Sequence, residues 1–256
     1  MGQRQDRAKA ANELIISYRM LQRFLGLLGL ALPLSLLFYS WYDGHPVEAS
    51  ISDYYYTKMG GYLVGTLCAV GIFLFCYNGY PDDAVTPSGW QRFWTDRTFA
   101  TAAGAFAIGV ALFPVHRDGI IPPATLSDPI AGDTVTVFFG AVAHPDAFHY
   151  GAAVLFFLCI TIFTTAFFPK GERTWTIRKI IYYLCGAAMI FAILRMAPYG
   201  FVQGDDPARI TARFGQHFLF IWESVAIFAF SIDWLAKGKI DQPINDGLRR
   251  IMAKTV

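Results

Sequence analysis

Charge is scarce in this chain. Asp, Glu, Lys and Arg make up only 16% of its 256 residues, against 55% hydrophobic residues. A soluble domain needs a solvated polar surface, so this balance excludes one and fits a polytopic membrane protein. Cysteine is scarce too. Cys68, Cys76, Cys159 and Cys185 all fall in apolar runs, with no CxxC and no Cys/His zinc spacing. They read as small buried hydrophobes, and no disulfide is expected. The chain also lacks a fixed-period repeat, a low-complexity tract, and any HExxH or HxxxH pair.

Long apolar runs are what the chain has. The first, 24–42, carries Pro33 near its middle and lacks a small-x-small cleavage site, so it reads as a retained span. Five more follow at about 59–77, 98–115, 148–168, 180–198 and 215–235. Each approaches the ~20 residues that a ~30 Å hydrocarbon core requires. The fold class expected is all-α, one membrane domain over 1–256 built as a six-transmembrane-helix bundle. Ahead of the first run, residues 1–18 place Leu14, Ile15 and Tyr18 on one side, as a short surface-lying amphipathic helix would. The segment 116–147 is rich in Pro and Asp. Its apolar piece 135–143 is too short to span and suits a cap, an interfacial segment or a strand pair.

Lys and Arg set the orientation. With six spans, 16 of the 21 fall on the side of the termini, including Arg4, Arg23, Lys170, Lys179 and Lys237. Four lie on the other side (Lys58, Arg117, Arg209 and Arg213), and Arg195 sits within a span. The positive-inside rule then puts both termini in the cytoplasm, here of a bacterial inner membrane.

The polar residues gather on the outer side. Loop one holds His45, Asp53 and the run Tyr54-Tyr55-Tyr56; His116 ends the third run; His144, Asp146 and His149 open the fourth. Arg195 lies near the outer end of the fifth run, and Gln216, His217 and Glu223 open the sixth. A carboxylate inside a span is costly and faces a partner or water within the protein. Arg195 is the expected ion-pair partner of Glu223. The wider expectation is an outer ligand-binding pocket of Asp53, His116, His149, Arg195, His217 and Glu223. Histidines beside carboxylates also suit zinc, which would fall to His116, His149 and His217. Heme between His116 and His149 is disfavoured by their closeness to the surface, and a transporter by the absence of paired Gly/Pro interruptions. Tyr54–Tyr56 read as an interfacial aromatic belt. The stripe Gly61-x-x-x-Gly65-x-x-x-Ala69 suits close helix packing, within the chain or as a homo-oligomer face.

Several short motifs appear in a telling order. Ile51-Ser52-Asp53 precedes the second run, and Phe113-Pro114-Val115-His116 ends the third. His149 and Phe156-Phe157 lie in the fourth, and Trp222-Glu223 with Ser231-Ile232-Asp233-Trp234 in the sixth. This order resembles the six-span DRAM-like family of autophagy modulators and GPI-anchor-maturation factors, and bacterial six-span proteins with a Ser-Ile-Ser-Asp-Tyr-Tyr loop. Lys58-Met59-Gly60 stands where that family has Pro-Glu. The resemblance implies a lipid-linked role with Asp53, His116, His149 and Glu223 at the site. The function expected is binding, sensing or handling of a membrane lipid or lipid-linked molecule, with no nucleic-acid partner. A membrane-embedded hydrolase or transferase, zinc-dependent or not, is the alternative.

Overall fold

The computed structural model describes residues 2–77, 79, 93–113, 128–130, 134–137, 140–143, 145–171, 176–200 and 207–239. Seven α-helices dominate: α1 (Gly2–Asp43), α2 (Gly60–Phe75), α3 (Asp96–Leu112), α4 (Pro145–Ile162), α5 (Ile177–Gly200), α6 (Pro207–Phe214) and α7 (Phe218–Lys237). Among the described residues, four segments are long and apolar enough to cross a membrane: Ile16–Asp43, Ala147–Lys170, Ile177–Tyr199 and Phe218–Lys237. Gly60–Phe75 is a shorter apolar helix.

Two features depart from the sequence reading, and a third realises one of its alternatives. The N-terminal segment is not a separate surface helix, because it continues without a break into α1 and through Pro33. The piece 128–143 holds strands β1 (Asp128–Ile130), β2 (Thr134–Val137) and β3 (Gly140–Ala143), paired antiparallel in that order. The β2–β3 pair is the strand pair that the sequence left open for 135–143, with β1 as a third strand beside it. The short helix α6, which begins at a proline as helix first turns often do, had not been anticipated.

α1 packs against α7, α7 against α5, α2 against α3, and α3 against α4. Lesser α1–α2 and α4–α5 contacts close the set. Small residues set the closest approaches. A Cβ on Gly71 of α2 would lie 2.8 Å from the Gly104 oxygen of α3, and one on Gly104 would lie 2.7 Å from the Gly71 oxygen. Gly61 and Gly65 behave differently, with no described atom within 4 Å of where a Cβ would sit. Their stripe therefore does not pack within the described bundle.

The interior is apolar, with Leu25, Leu36, Met189, Ala192 and Ala226 fully enclosed. The outside is apolar as well: Phe38, Leu184, Phe191, Leu194 and Ile221 are all more than half exposed. Helices apolar on both sides need a nonaqueous surround, and helices satisfy their own backbone hydrogen bonds there. The chain is a membrane protein by this physics. Its four cysteines are free thiols, Cys159 and Cys185 buried among the core helices.

Candidate functional site

One end of the bundle is closed by the loop between α1 and α2. The loop folds back because its backbone finds partners there. Ser50 and Asp53 cap each other: the Ser50 N–H donates to Asp53 Oδ2 at 3.0 Å, and the Asp53 N–H donates to Ser50 Oγ at 3.1 Å. This is the reciprocal arrangement that starts helices, and a 3-10 turn follows over Ser52–Tyr56. Tyr54 is fully buried, its hydroxyl 2.7 Å from Ser40 Oγ of α1. Tyr55 is buried too, and both pack with Leu32, Leu36 and Phe220. Tyr54 and Tyr55 are thus core residues of the plug rather than an interfacial belt. At the loop's end the Lys58 ammonium donates to Asp43 at 3.0 Å. That hydrogen bond pushes the Lys58 pKa above its ordinary value.

The plug is fastened to α7 twice. The Phe220 N–H, one of the donors a helix start leaves without an intrahelical partner, donates to the Ala49 oxygen at 2.9 Å. The Ile51 N–H donates to Glu223 Oε2 at 2.7 Å. It is fastened to α4 once, where Ser52 Oγ lies 2.8 Å from His149 Nε2. His149 is buried, and its Nδ1 sits 2.6 Å from the Phe113 oxygen at the end of α3. A carbonyl only accepts, so Nδ1 carries the proton. In the neutral ring Nε2 then accepts, and the Ser52 hydroxyl donates to it.

Beneath the plug lies a cavity of about 40 Å³. That holds a few waters at ~10–15 Å³ each. Leu32, Leu63, Leu67, Phe156, Phe157 and Ile227 form apolar walls, while Ser52 and Glu223 supply polar side chains. Glu223 is deep in the protein yet keeps some accessible surface, which fits its place on the cavity wall. Its Oε1 makes no hydrogen bond to a described residue.

The expected site residues separate accordingly. Glu223 lines the cavity, and His149 reaches it through Ser52. Asp53 shapes the plug but does not line the cavity, and His217 Nδ1 sits 3.3 Å from the Glu48 oxygen, outside it. His116, His144 and the Asp146 side chain lie outside the described residues. The expected Arg195–Glu223 pair does not form. Arg195 is exposed, its guanidinium 5.6 Å from the Phe218 ring centre and 5.4 Å from that of Trp222. The two charges leave α5 and α7 toward different surroundings, which their depth along the helices could not reveal. Among the described residues no group of three or more His, Cys, Asp or Glu could hold a metal ion. Both ring nitrogens of His149 are already engaged. The described part of the expected zinc set therefore does not converge.

A second buried carboxylate enters the sequence reading only as part of the Ser231–Trp234 motif, not as a site residue. Asp233 of α7 is fully enclosed, and its Oδ2 accepts from Thr164 Oγ1 at 2.7 Å. Thr164 belongs to a π-helical turn, Phe163–Phe167, that continues α4. The signal was available, since Asp233 lies inside the same apolar run as Glu223. Compared with known proteins, the chain matches no family model, no curated protein and no solved structure.

Proposed function

We propose that this protein is a six-span membrane protein, both termini cytoplasmic in a bacterial inner membrane, that binds a lipid or lipid-linked molecule in the cavity beside Glu223. The Lys and Arg asymmetry supports the orientation. α2 and α3, at 16 and 17 residues, reach about 24–26 Å at ~1.5 Å per residue. They are the two shorter spans of this reading, to which the DRAM-like resemblance also belongs.

The cavity's chemistry carries the ligand class. Its walls are apolar, and its polar edge offers acceptors: Glu223 Oε1, and Ser52 Oγ once its proton is given to His149. A ligand that satisfies both is an amphiphile that inserts only a small donating head group, a hydroxyl, amide or ammonium, while its chain stays in the surrounding lipid. The test is a thermal-shift and binding comparison in detergent, using a short-chain diacylglycerol as hydroxyl donor. Parent, Glu223→Gln and His149→Ala are compared, with Asp53→Asn reporting on the plug. Glu223→Gln should accumulate normally and lose roughly tenfold in affinity, about one charge-assisted hydrogen bond. Equal binding by all the variants and the parent would mean the cluster only packs.

A second reading rests on Ser52 itself. A serine hydroxyl on a cavity wall, hydrogen-bonded to a histidine whose other nitrogen is held by a carbonyl, has the geometry of a nucleophile, its base and the base's orienter. His149 Nε2 would take the proton as Oγ attacks an ester carbonyl carbon. The alcohol would leave with that proton, and water would release the acyl group from Ser52. A fluorophosphonate probe that labels Ser52 in the parent but not in His149→Ala would favour this hydrolase over the binding protein; an unlabelled Ser52 would remove it.

A further inference from the structure

Arg195 occupies an unusual place. It lies five residues before Gly200, the end of α5, so about 7.5 Å inside that end at ~1.5 Å per residue. It is exposed, and so are its neighbours Phe191 at 54% and Leu194 at 64%. Apolar side chains so exposed within a segment fit to span a membrane face lipid, and Arg195 faces lipid with them. The described residues give it no acidic partner: its contacts are the faces of Phe218 and Trp222. The Trp222 ring rests edge to face on Phe191 at 5.3 Å, which ties the pair to the lipid-facing stripe. One turn further out, Tyr199 stacks on Phe218 at 6.2 Å.

A cation held at this depth is expensive unless it reaches an anion or water. Arginine's long stem lets the guanidinium rise toward the interface, and its planar fork matches a phosphate bidentately. The two rings beneath hold the guanidinium by cation–π attraction and keep the fork's edge free. At the edge of a hydrocarbon core, the anion available to a lipid-facing residue is the phosphate of a lipid.

We infer that Arg195, seated on Phe218 and Trp222, binds the phosphate of a glycerophospholipid whose acyl chain lies along Phe191 and Leu194. This is a surface site between α5 and α7, distinct from the cavity. Trp222 and Glu223 are successive residues, and successive residues of a helix point ~100° apart. The inference needs only that the chain spans a membrane. It does not need Glu223 to bind anything.

The experiment is a native mass spectrometry titration of detergent-solubilised protein with phosphatidylglycerol, run beside inorganic phosphate and diacylglycerol. Parent, Arg195→Gln, Arg195→Lys, Glu223→Gln and the double variant of Arg195→Gln with Glu223→Gln are compared. Phosphatidylglycerol affinity should fall roughly tenfold or more in Arg195→Gln, the loss of hydrogen bonds to a charged group. It should stay within about threefold in Arg195→Lys, which keeps the point charge. Arg195→Gln should cost the same factor in phosphatidylglycerol affinity in a Glu223→Gln background as in the parent, and diacylglycerol uptake should be blind to Arg195. Unchanged phosphatidylglycerol binding in Arg195→Gln would overturn the site. So would a lysine variant as defective as the glutamine variant, and so would inorganic phosphate binding as tightly as the lipid, which marks an aqueous anion site. Loss of diacylglycerol binding in Glu223→Gln alone speaks only to the cavity.

Discussion

α2 offers a controlled test of how this bundle is held together, because it carries glycines of two kinds in one helix. At Gly71 a methyl group would meet the Gly104 backbone oxygen at 2.8 Å and Ile108 Cγ1 at 2.6 Å. The isoleucine side chain can turn aside. The carbonyl cannot move unless α3 moves with it, and α3 is also packed on α4. At Gly65 the same methyl group would meet no described atom within 4 Å. Gly→Ala raises helix propensity by at most ~1 kcal/mol, and that gain is similar at both positions. It cancels when the two variants are compared. What remains is the overpacking cost at Gly71, about 1–3 kcal/mol. Reversible unfolding of the variants in mixed micelles measures the difference directly. Gly65→Ala should match the parent or exceed it slightly, and Gly71→Ala should fall below Gly65→Ala by that amount. Equal stabilities would show that α2 and α3 do not approach as closely as these glycines imply.

Two further outcomes follow from the same geometry. Arg195→Leu and Glu223→Leu should act independently on stability, with a double-mutant coupling within about 0.5 kcal/mol, because no ion pair joins them; a coupling of several kcal/mol, as for a broken buried pair, would place the two charges together. Reporter fusions after Lys170 and after Lys239 should read cytoplasmic and one near Ser127 periplasmic; a cytoplasmic signal near Ser127 would sink the six-span orientation.

The apolar runs were legible because burial in lipid is written in composition over ~20 residues at a time. Glu223 was legible for the complementary reason, as a charge where composition forbids one. What helices do to each other is not written that way. Arg195 and Glu223 stand at similar depth, yet one faces a pair of aromatic rings and the other a cavity. Only helix rotation decides that, and rotation is set by packing contacts such as Gly71 against Gly104. The three tyrosines of loop one misled in the same way. Interfacial tyrosine and buried tyrosine have the same spelling, and the difference lies in Ser40 waiting 2.7 Å from the Tyr54 hydroxyl. In the sequence Ser52 shows only as part of the Ile51-Ser52-Asp53 motif, because its partner His149 stands 97 positions away.

The two carboxylates of α7 show why the proposed function rests on one of them. Each has the donor that an inserted acid needs. Asp233 takes the Thr164 hydroxyl, with Lys237 one turn further along the helix. Glu223 takes a backbone N–H from the plug. Asp233 is sealed, with no accessible surface at all, so nothing from outside the fold can reach it without opening the helix contacts around it. Its tie to the π-helical turn of α4 serves the packing of α4 on α7. Glu223 is tied to a loop rather than to a helix, and the remainder of its carboxylate borders the cavity. Asp233 Oδ1 also has no hydrogen-bond partner among the described residues, so an unpaired oxygen does not separate the two acids; what separates them is that Asp233 is sealed while Glu223 lines the cavity. Glu223 Oε1 is turned toward the cavity, where an entering donor can reach it. The same loop that holds Oε2 forms the roof through Ile51 and Ser52. A ligand head group that competes for Glu223 would therefore also act on the roof, coupling occupancy of the cavity to the position of the plug.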